Sequence, residues 1–156
     1  MIEIFAAAGG LFTMLAFVHF FADWLFQTQH EAMHKHNDRR VRARHCTIYT
    51  VFFIPVLLIL GMSPWLYASA LAILWASHFI IDTYIPVLLW AKYMRKIPAL
   101  DEKGRGFWDS SIGDVIGSQK AFAQLWKEPV YPILFIAVDQ ILHLSFLWPV
   151  VFLILL

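Results

Sequence analysis

The sequence predicts an all-α polytopic membrane protein, a bundle of four transmembrane helices with a cytoplasmic amphipathic helical segment. Three observations lead to this prediction. Hydrophobic residues make up 60% of the 156 residues and charged residues 15%, with a mean hydropathy of +0.65. A soluble domain is about half apolar and a quarter charged. The 12 Lys and Arg residues all lie in two stretches, and long apolar segments fill the rest of the chain. The same composition, with one Cys, excludes a disordered chain and a disulfide scaffold.

Four segments are long enough to cross a bilayer, which takes about 20 mostly apolar residues. We place them in a single membrane domain, 1–156, at 4–27, 46–63, 65–91 and 130–156. The second segment ends at the turn motif Gly61-Met-Ser-Pro64, so it forms a hairpin with the third. Pro86 lies inside the third segment and removes the hydrogen bond that the carbonyl of Asp82 would accept, which predicts a kink.

The two basic stretches predict the topology. Loops rich in Lys and Arg stay in the cytoplasm, so loops 28–45 and 92–129 are expected there. Both termini then lie outside, giving an N-out, C-out, multi-pass protein. The first residues, Met-Ile-Glu-Ile, contain no Lys or Arg, which argues against a cleaved signal peptide. Cys46 lies beside the cytoplasmic boundary, so no disulfide is expected.

The second loop carries apolar residues at helical spacing. We expect one or two amphipathic helices on the cytoplasmic membrane surface, or else a small soluble cap over the bundle. The residues that suggest them are Phe107, Trp108, Ile112, Val115, Ile116, Phe122, Leu125 and Trp126. The expected partners are the lipid bilayer, anionic lipid headgroups at the basic loops and a second copy of the chain. The basic loops mainly set the topology, and no nucleic acid is expected.

Three of the four segments carry an Asp and a His four residues apart. The pairs are His19 with Asp23, His78 with Asp82, and Asp139 with His143. Four-residue spacing puts both members on one helix face. Ionisable residues within a span are costly and usually face the bundle interior. With His45 at the start of the second segment, the pairs predict one buried polar site in the cytoplasmic half.

His and Asp together suit a divalent metal, with Zn²⁺ expected and Mn²⁺ or Fe²⁺ as alternatives. The predicted carboxylate catalysts are Asp23, Asp82 and Asp139, acting as general base toward an activated water. The set exceeds what one tetrahedral ion needs, so either two metals bind or some members support others. The predicted metal ligands are His19, Asp23, His45, His78, Asp82, Asp139 and His143.

The resulting hypothesis is a metal-dependent hydrolase that acts on a lipid, a lipid-linked molecule or a nucleotide near the cytoplasmic leaflet. Three alternatives stay open. One His per helix also permits a haem-binding bundle, and chains of buried Asp and His also relay protons in transporters. The fourth possibility is a non-catalytic structural or accessory membrane subunit, so the sequence leaves open whether the protein is an enzyme.

The order of these motifs resembles the bacterial and phage membrane family catalogued as domain of unknown function 3307. The resemblance covers about residues 15 to 145, departs from the family in the longer stretch 93–129, and implies a small multi-pass protein of the bacterial inner membrane without an established activity. A more distant likeness to membrane-bound metal-dependent hydrolases is analogy alone. The residues that carry the resemblance are His19, Asp23, Gln27, Thr28, Lys35, His45, Ile48, Tyr49, Thr50, His78, Phe79, Ile81, Asp82, Asp139, Gln140, His143 and Leu144.

Overall fold

A computed structural model describes residues 2–94 and 130–156. Within these two ranges the chain forms helices joined by turns, which confirms the predicted all-α class. The predicted amphipathic segment over 107–126 lies outside the described residues. Its fold and its place on the membrane surface therefore stay predictions.

Eight helices are described. The first two long segments are irregular. In the first, α1 continues into a π-helical turn, and in the second, a short turn separates α3 from α4. The bounds are α1 Ile2–Phe20, followed by the π-helical turn Phe21–Leu25, α2 Gln29–His34, α3 Arg39–Val51, α4 Ile54–Ile59, α5 Pro64–Ile81, α6 Ile85–Tyr93, α7 Val130–Ser145 and α8 Leu147–Leu155.

Four helical stretches, counted across these irregularities, are long and apolar enough to cross a membrane: Ile2–Leu25, Arg39–Ile59, Pro64–Ile81 and Pro132–Leu155. Large apolar side chains on their outer faces are exposed, as in Phe17, which is 71% exposed. Exposed large apolar side chains on long apolar helices agree with a membrane environment. The four-helix polytopic bundle is thereby confirmed, while its orientation stays a prediction.

The chain divides into two compact units, Met1–Thr83 with Ile141–Leu156, and Tyr84–Gln140. In the first unit, α1 packs on α8, α8 on α5, and α5 on α3 and α4. The apolar core of this unit is formed by side chains that are at most 7% exposed. Its central members are Leu15, Phe53, Leu57, Leu74 and Val150. In the second unit, Val87 and Phe135 are fully buried.

The structure contains two helices where the sequence predicts one kinked segment over 65–91. α5 ends at Ile81, and α6 begins at Ile85. Tyr84 between them has a φ of 59°, a left-handed conformation that is rare for a residue other than glycine. Pro86 then lies in the first turn of α6, where a missing N–H breaks no helical hydrogen bond. Asp82 is therefore the C-terminal cap of α5.

Candidate metal centre

Five ionisable side chains from four elements meet in the first unit. Asp23 comes from the π-helical turn, Lys35 from the end of α2, His45 from α3, and His78 and Asp82 from the C-terminal end of α5. All five are buried, and the most exposed, Lys35, has 7% of its side chain accessible. Charged groups in such positions need partners, because leaving them unpaired out of water is costly.

His45 lies at the centre of this cluster. Its Nε2 is 3.0 Å from Asp23 Oδ1, 3.0 Å from His78 Nε2 and 3.3 Å from Lys35 Nζ. An imidazole nitrogen carries either one proton or one lone pair, so it can serve only one such partner at a time. Hydrogen bonding alone therefore does not account for three close neighbours around one atom.

The two carboxylates surround this nitrogen. Asp23 Oδ1 is also 3.6 Å from His78 Nε2. Asp82 turns Oδ2 toward the two imidazoles, at 3.4 Å from His78 Nε2 and 3.6 Å from His45 Nε2. Its other oxygen, Oδ1, is 3.0 Å from Lys35 Nζ. Asp82 therefore divides its two oxygens between the histidines and the lysine.

The π-helical turn positions Asp23. Such turns are rare and are found frequently at functional sites, because they widen the helix locally. The structure pairs α1 with α3 through side chains four residues apart on each helix. His19 Nδ1 shares a 3.0 Å hydrogen bond with the Tyr49 hydroxyl, and Asp23 contacts His45. The predicted pair of His19 and Asp23 thus contacts two successive turns of α3.

Aromatic rings fix the orientation of His78. The Tyr49 ring stacks on the His78 ring, with 3.8 Å between centroids and 16° between planes. The His143 ring lies 4.4 Å from that of His78 and 5.3 Å from that of His19. His143 Nε2 is 3.8 Å from Asp82 Oδ1. His19 and His143 therefore form a supporting layer beside the central group.

Lys35 is carried by residues 28–38, a segment that we call the strap. Arg42 of α3 donates from Nη1 to the carbonyl of Lys35 at 2.9 Å and to that of His36 at 3.0 Å. The Arg42 guanidinium also lies 4.6 Å above the Phe79 ring of α5. The strap backbone at Lys35 and His36 is therefore anchored to the bundle.

The start of the strap is closed by a capping box. Thr28 donates from its backbone N–H and its hydroxyl to the Glu31 carboxylate, at 2.9 Å and 2.8 Å, and accepts from the Glu31 N–H. Arg44 Nε donates to Glu31 at 3.1 Å. Burial raises the pKa of Glu31, but the bonds from Thr28 and Arg44 outweigh it and hold the pKa below its usual value. Glu31 is therefore a charged anchor of the strap.

The predicted site residues fall into three groups. The structure brings together Asp23, His45, His78 and Asp82, and sets His19 and His143 beside them. Asp139 belongs to the second unit, where it is buried and accepts a hydrogen bond from Gln140 Nε2 at 3.3 Å. Its part in the site stays a prediction.

Three further residues of the site did not emerge as ligands or catalysts from the sequence. In the sequence, Lys35 was interpreted as one of the basic residues that set the topology, although it is part of the family motif. Tyr49 follows His45 by four residues, a spacing that indicated a shared helix face. Cys46 also lies in the cluster, with Sγ within 4.8 Å of donor atoms of His78 and Asp82.

A protein-family model matches residues 11–156 of the chain, and the family is described as "Protein of unknown function (DUF3307)". The match includes every described residue of the cluster. No curated protein and no solved structure matches the chain.

Proposed function

We propose that this chain, which belongs to the family of proteins of unknown function DUF3307, is a membrane-bound, Zn²⁺-dependent hydrolase. The family match confirms the resemblance seen in the sequence. Because the description of the family names no activity, the proposal depends on the chemistry of the buried cluster.

The observation that carries the proposal is the convergence of donor atoms on one point. Asp23 Oδ1, His45 Nε2 and His78 Nε2 are separated by 3.0, 3.0 and 3.6 Å. Zn²⁺ with bonds of about 2.0–2.2 Å holds tetrahedral donors about 3.4 Å apart. Two imidazole nitrogens 3.0 Å apart also need a cation or a shared proton between them. A divalent ion meets both conditions.

The remaining carboxylate supplies a general base. Three protein ligands leave one tetrahedral position for water, which is the usual pattern in catalytic zinc sites. Bound Zn²⁺ lowers the pKa of such a water to about 7. Asp82 Oδ2, at 3.4–3.6 Å from the two imidazole nitrogens, is suited to accept a proton from the attacking water. His143 and Tyr49 would then hold Asp82 and His78 in place.

The level of the cluster along the helices supports a choice of substrate class. Asp23 lies two residues before the end of the first candidate span at Leu25, and Asp82 directly follows the third span, which ends at Ile81. Both carboxylates therefore belong to the same end of the bundle, near the membrane surface. We propose a lipid or lipid-linked ester as substrate, approached from the leaflet on the side of the basic loops, expected to be cytoplasmic.

Metal analysis of the purified protein tests the first half of the proposal. We expect one Zn²⁺ per chain after reconstitution, and a loss of most bound metal in His45→Ala and in His78→Ala. His30→Ala is the matched control, because His30 is exposed on the strap and its substitution also removes one imidazole. Equal metal content in all four proteins would contradict the proposed site.

Asp82→Asn tests the second half. As a general base, Asp82 should contribute about 10²- to 10⁴-fold to turnover. We expect the variant to keep its metal and to hydrolyse p-nitrophenyl esters and phosphodiesters at least a hundredfold more slowly than the wild type. If Asp82→Asn instead loses the metal, Asp82 is a fourth ligand and the site is closed. That outcome would favour the non-catalytic structural alternative.

A further inference from the structure

We infer that Lys35 is a built-in competitor of the metal, and that the strap controls access of a divalent cation to the site. This inference rests on the proposed metal site and adds its regulation. It starts from the position of the lysine. Lys35 Nζ is 3.0 Å from Asp82 Oδ1, 3.4 Å from Asp23 Oδ1 and 3.3 Å from His45 Nε2. The ammonium group therefore touches three of the four residues that would surround the metal.

Electrostatic repulsion disfavours a divalent metal and the Lys35 ammonium group as close neighbours. Two carboxylates and one ammonium leave the cluster at −1 with neutral histidines, a charge that suits a further cation. The ammonium nevertheless lies within 3.4 Å of two metal-binding donor atoms. With metal–donor bonds of about 2.0–2.2 Å, a bound metal would be about 5.5 Å or less from it. At that distance even two single charges repel strongly near a protein surface. Metal binding therefore favours withdrawal of Lys35.

The strap that carries Lys35 is held in place by side chains of α3. Arg42 donates to the carbonyls of Lys35 and His36, and Arg44 donates to Glu31. Lys35 provides the buried cation at its tip. In the absence of metal, the two carboxylates hold the ammonium group and the strap closes the site. Once a metal neutralises the carboxylates, that attraction is lost and the position next to the metal opens toward the strap.

A lysine that only orients Asp82 would have the opposite effect on metal affinity. Loss of an orienting partner weakens metal binding by about 10- to 100-fold. Loss of a competing cation strengthens it. The sign of the change in affinity therefore separates the two roles without any assay of activity.

The experiment compares Zn²⁺ affinity of the full-length wild type, Lys35→Met and Arg39→Met in detergent. Met keeps the length of the lysine side chain and removes its charge. Arg39 is exposed at the start of α3, so its substitution removes a charge without touching the cluster. We expect Lys35→Met to bind Zn²⁺ about tenfold or more tightly than the wild type, and Arg39→Met to match the wild type. Equal or weaker binding by Lys35→Met would overturn the inference.

A second variant and a second readout cover the case in which Lys35→Met does not fold. Arg42→Gln loosens the strap without changing Lys35, and it should also raise Zn²⁺ affinity. In the wild type, acylation of Lys35 by an N-hydroxysuccinimide ester should be slow without metal and several-fold faster with Zn²⁺, with the five other lysines as internal reference. An unchanged rate would overturn the inference while leaving the metal site intact. Absence of Zn²⁺ binding in the wild type and all variants would instead overturn the proposed function.

Discussion

Two ends of the first unit are equally buried, but one consists of apolar side chains and the other of ionisable side chains. At one end, Leu15, Leu57 and Leu74 from three different helices pack with at most 1% exposure. At the other end, His78 and Asp82 are just as deeply buried. The same three helical stretches, Ile2–Leu25, Arg39–Ile59 and Pro64–Ile81, supply both ends. The apolar end needs side chains of the right volume, whereas the polar end needs each charge to meet its partner.

This contrast bears on the proposed function, which we place at the polar end. A bundle in lipid gains its stability from close packing, and its helices do not need buried carboxylates for that purpose. Replacing buried ion pairs with apolar residues is often neutral or stabilising. Packing alone therefore gives no reason for the buried charges of the polar end, which agrees with the proposed chemical role. The following changes test the contrast, from the largest expected effect to the smallest.

The largest effect is expected at the polar end, from Asp82→Ala. The substitution removes the carboxylate 3.0 Å from Lys35 Nζ and leaves a buried ammonium with less compensation. Breaking a buried ion pair from one side costs about 3–5 kcal/mol. Denaturant unfolding of the metal-free protein in detergent measures the loss. The double variant Asp82→Ala with Lys35→Met should recover part of it, and a double variant less stable than the single one would contradict the ion-pair account.

At the apolar end, Leu74→Ala should cost somewhat less. Leu74 lies in α5 with 1% exposure, and truncating a buried leucine costs about 2–4 kcal/mol through lost contacts and a residual cavity. We expect a lower unfolding midpoint together with an unchanged Zn²⁺ stoichiometry. A parallel loss of metal would mean that the two ends are not independent.

A smaller effect is expected at Tyr49→Phe. The variant keeps the ring that stacks on His78 and loses the 3.0 Å hydrogen bond to His19. A buried hydrogen bond of this kind contributes about 1 kcal/mol. The unfolding free energy should fall by that amount, with Zn²⁺ affinity near that of the wild type. Tyr49→Leu, which removes the stack as well, should reduce Zn²⁺ affinity; equal affinities in both variants would dismiss the role of the stack.

The smallest effect is expected at Glu31→Gln, and it depends on pH. The folded state holds the pKa of Glu31 below its usual value, so the charged carboxylate stabilises the folded strap. That contribution is present above the unfolded pKa of about 4.3 and is lost as the pH falls through the lower folded pKa. The wild type should therefore exceed Glu31→Gln in thermal stability at neutral pH and approach it in acid. A gap that widens in acid would contradict this assignment.

The segregation of charge along the sequence was enough to predict the fold. Three of the four apolar stretches contain no Lys or Arg, and the second, Arg39–Ile59, has its four arginines in its first two turns. This distribution is expected because a charged side chain inside the bilayer is costly. The pairs at four-residue spacing led to His78 and Asp82, since both lie at the end of one helix and their separation follows helical geometry. Local periodicity is sufficient where a site is formed within a single helix.

Periodicity was insufficient where backbone irregularities decide the geometry. The π-helical turn at Asp23 and the left-handed Tyr84 have no counterpart in a regular helical repeat. Lys35 reaches the cluster through the strap, a connection between helices whose path depends on tertiary contacts of Arg42 and Arg44. The capping box of Thr28 and Glu31 was readable in the sequence as Thr-x-x-Glu and marks the start of that connection.

The π-helical turn has a consequence for how such a site can arise. A π-helical turn is equivalent to one additional residue inserted into an α-helix. Each residue of an α-helix rotates the chain by about 100° and advances it by about 1.5 Å. Removing one residue within 21–25 would shorten the first span very little, yet it would turn the following side chains away from α3. A change of one codon in this turn is therefore expected to separate the Asp23 carboxylate from His45.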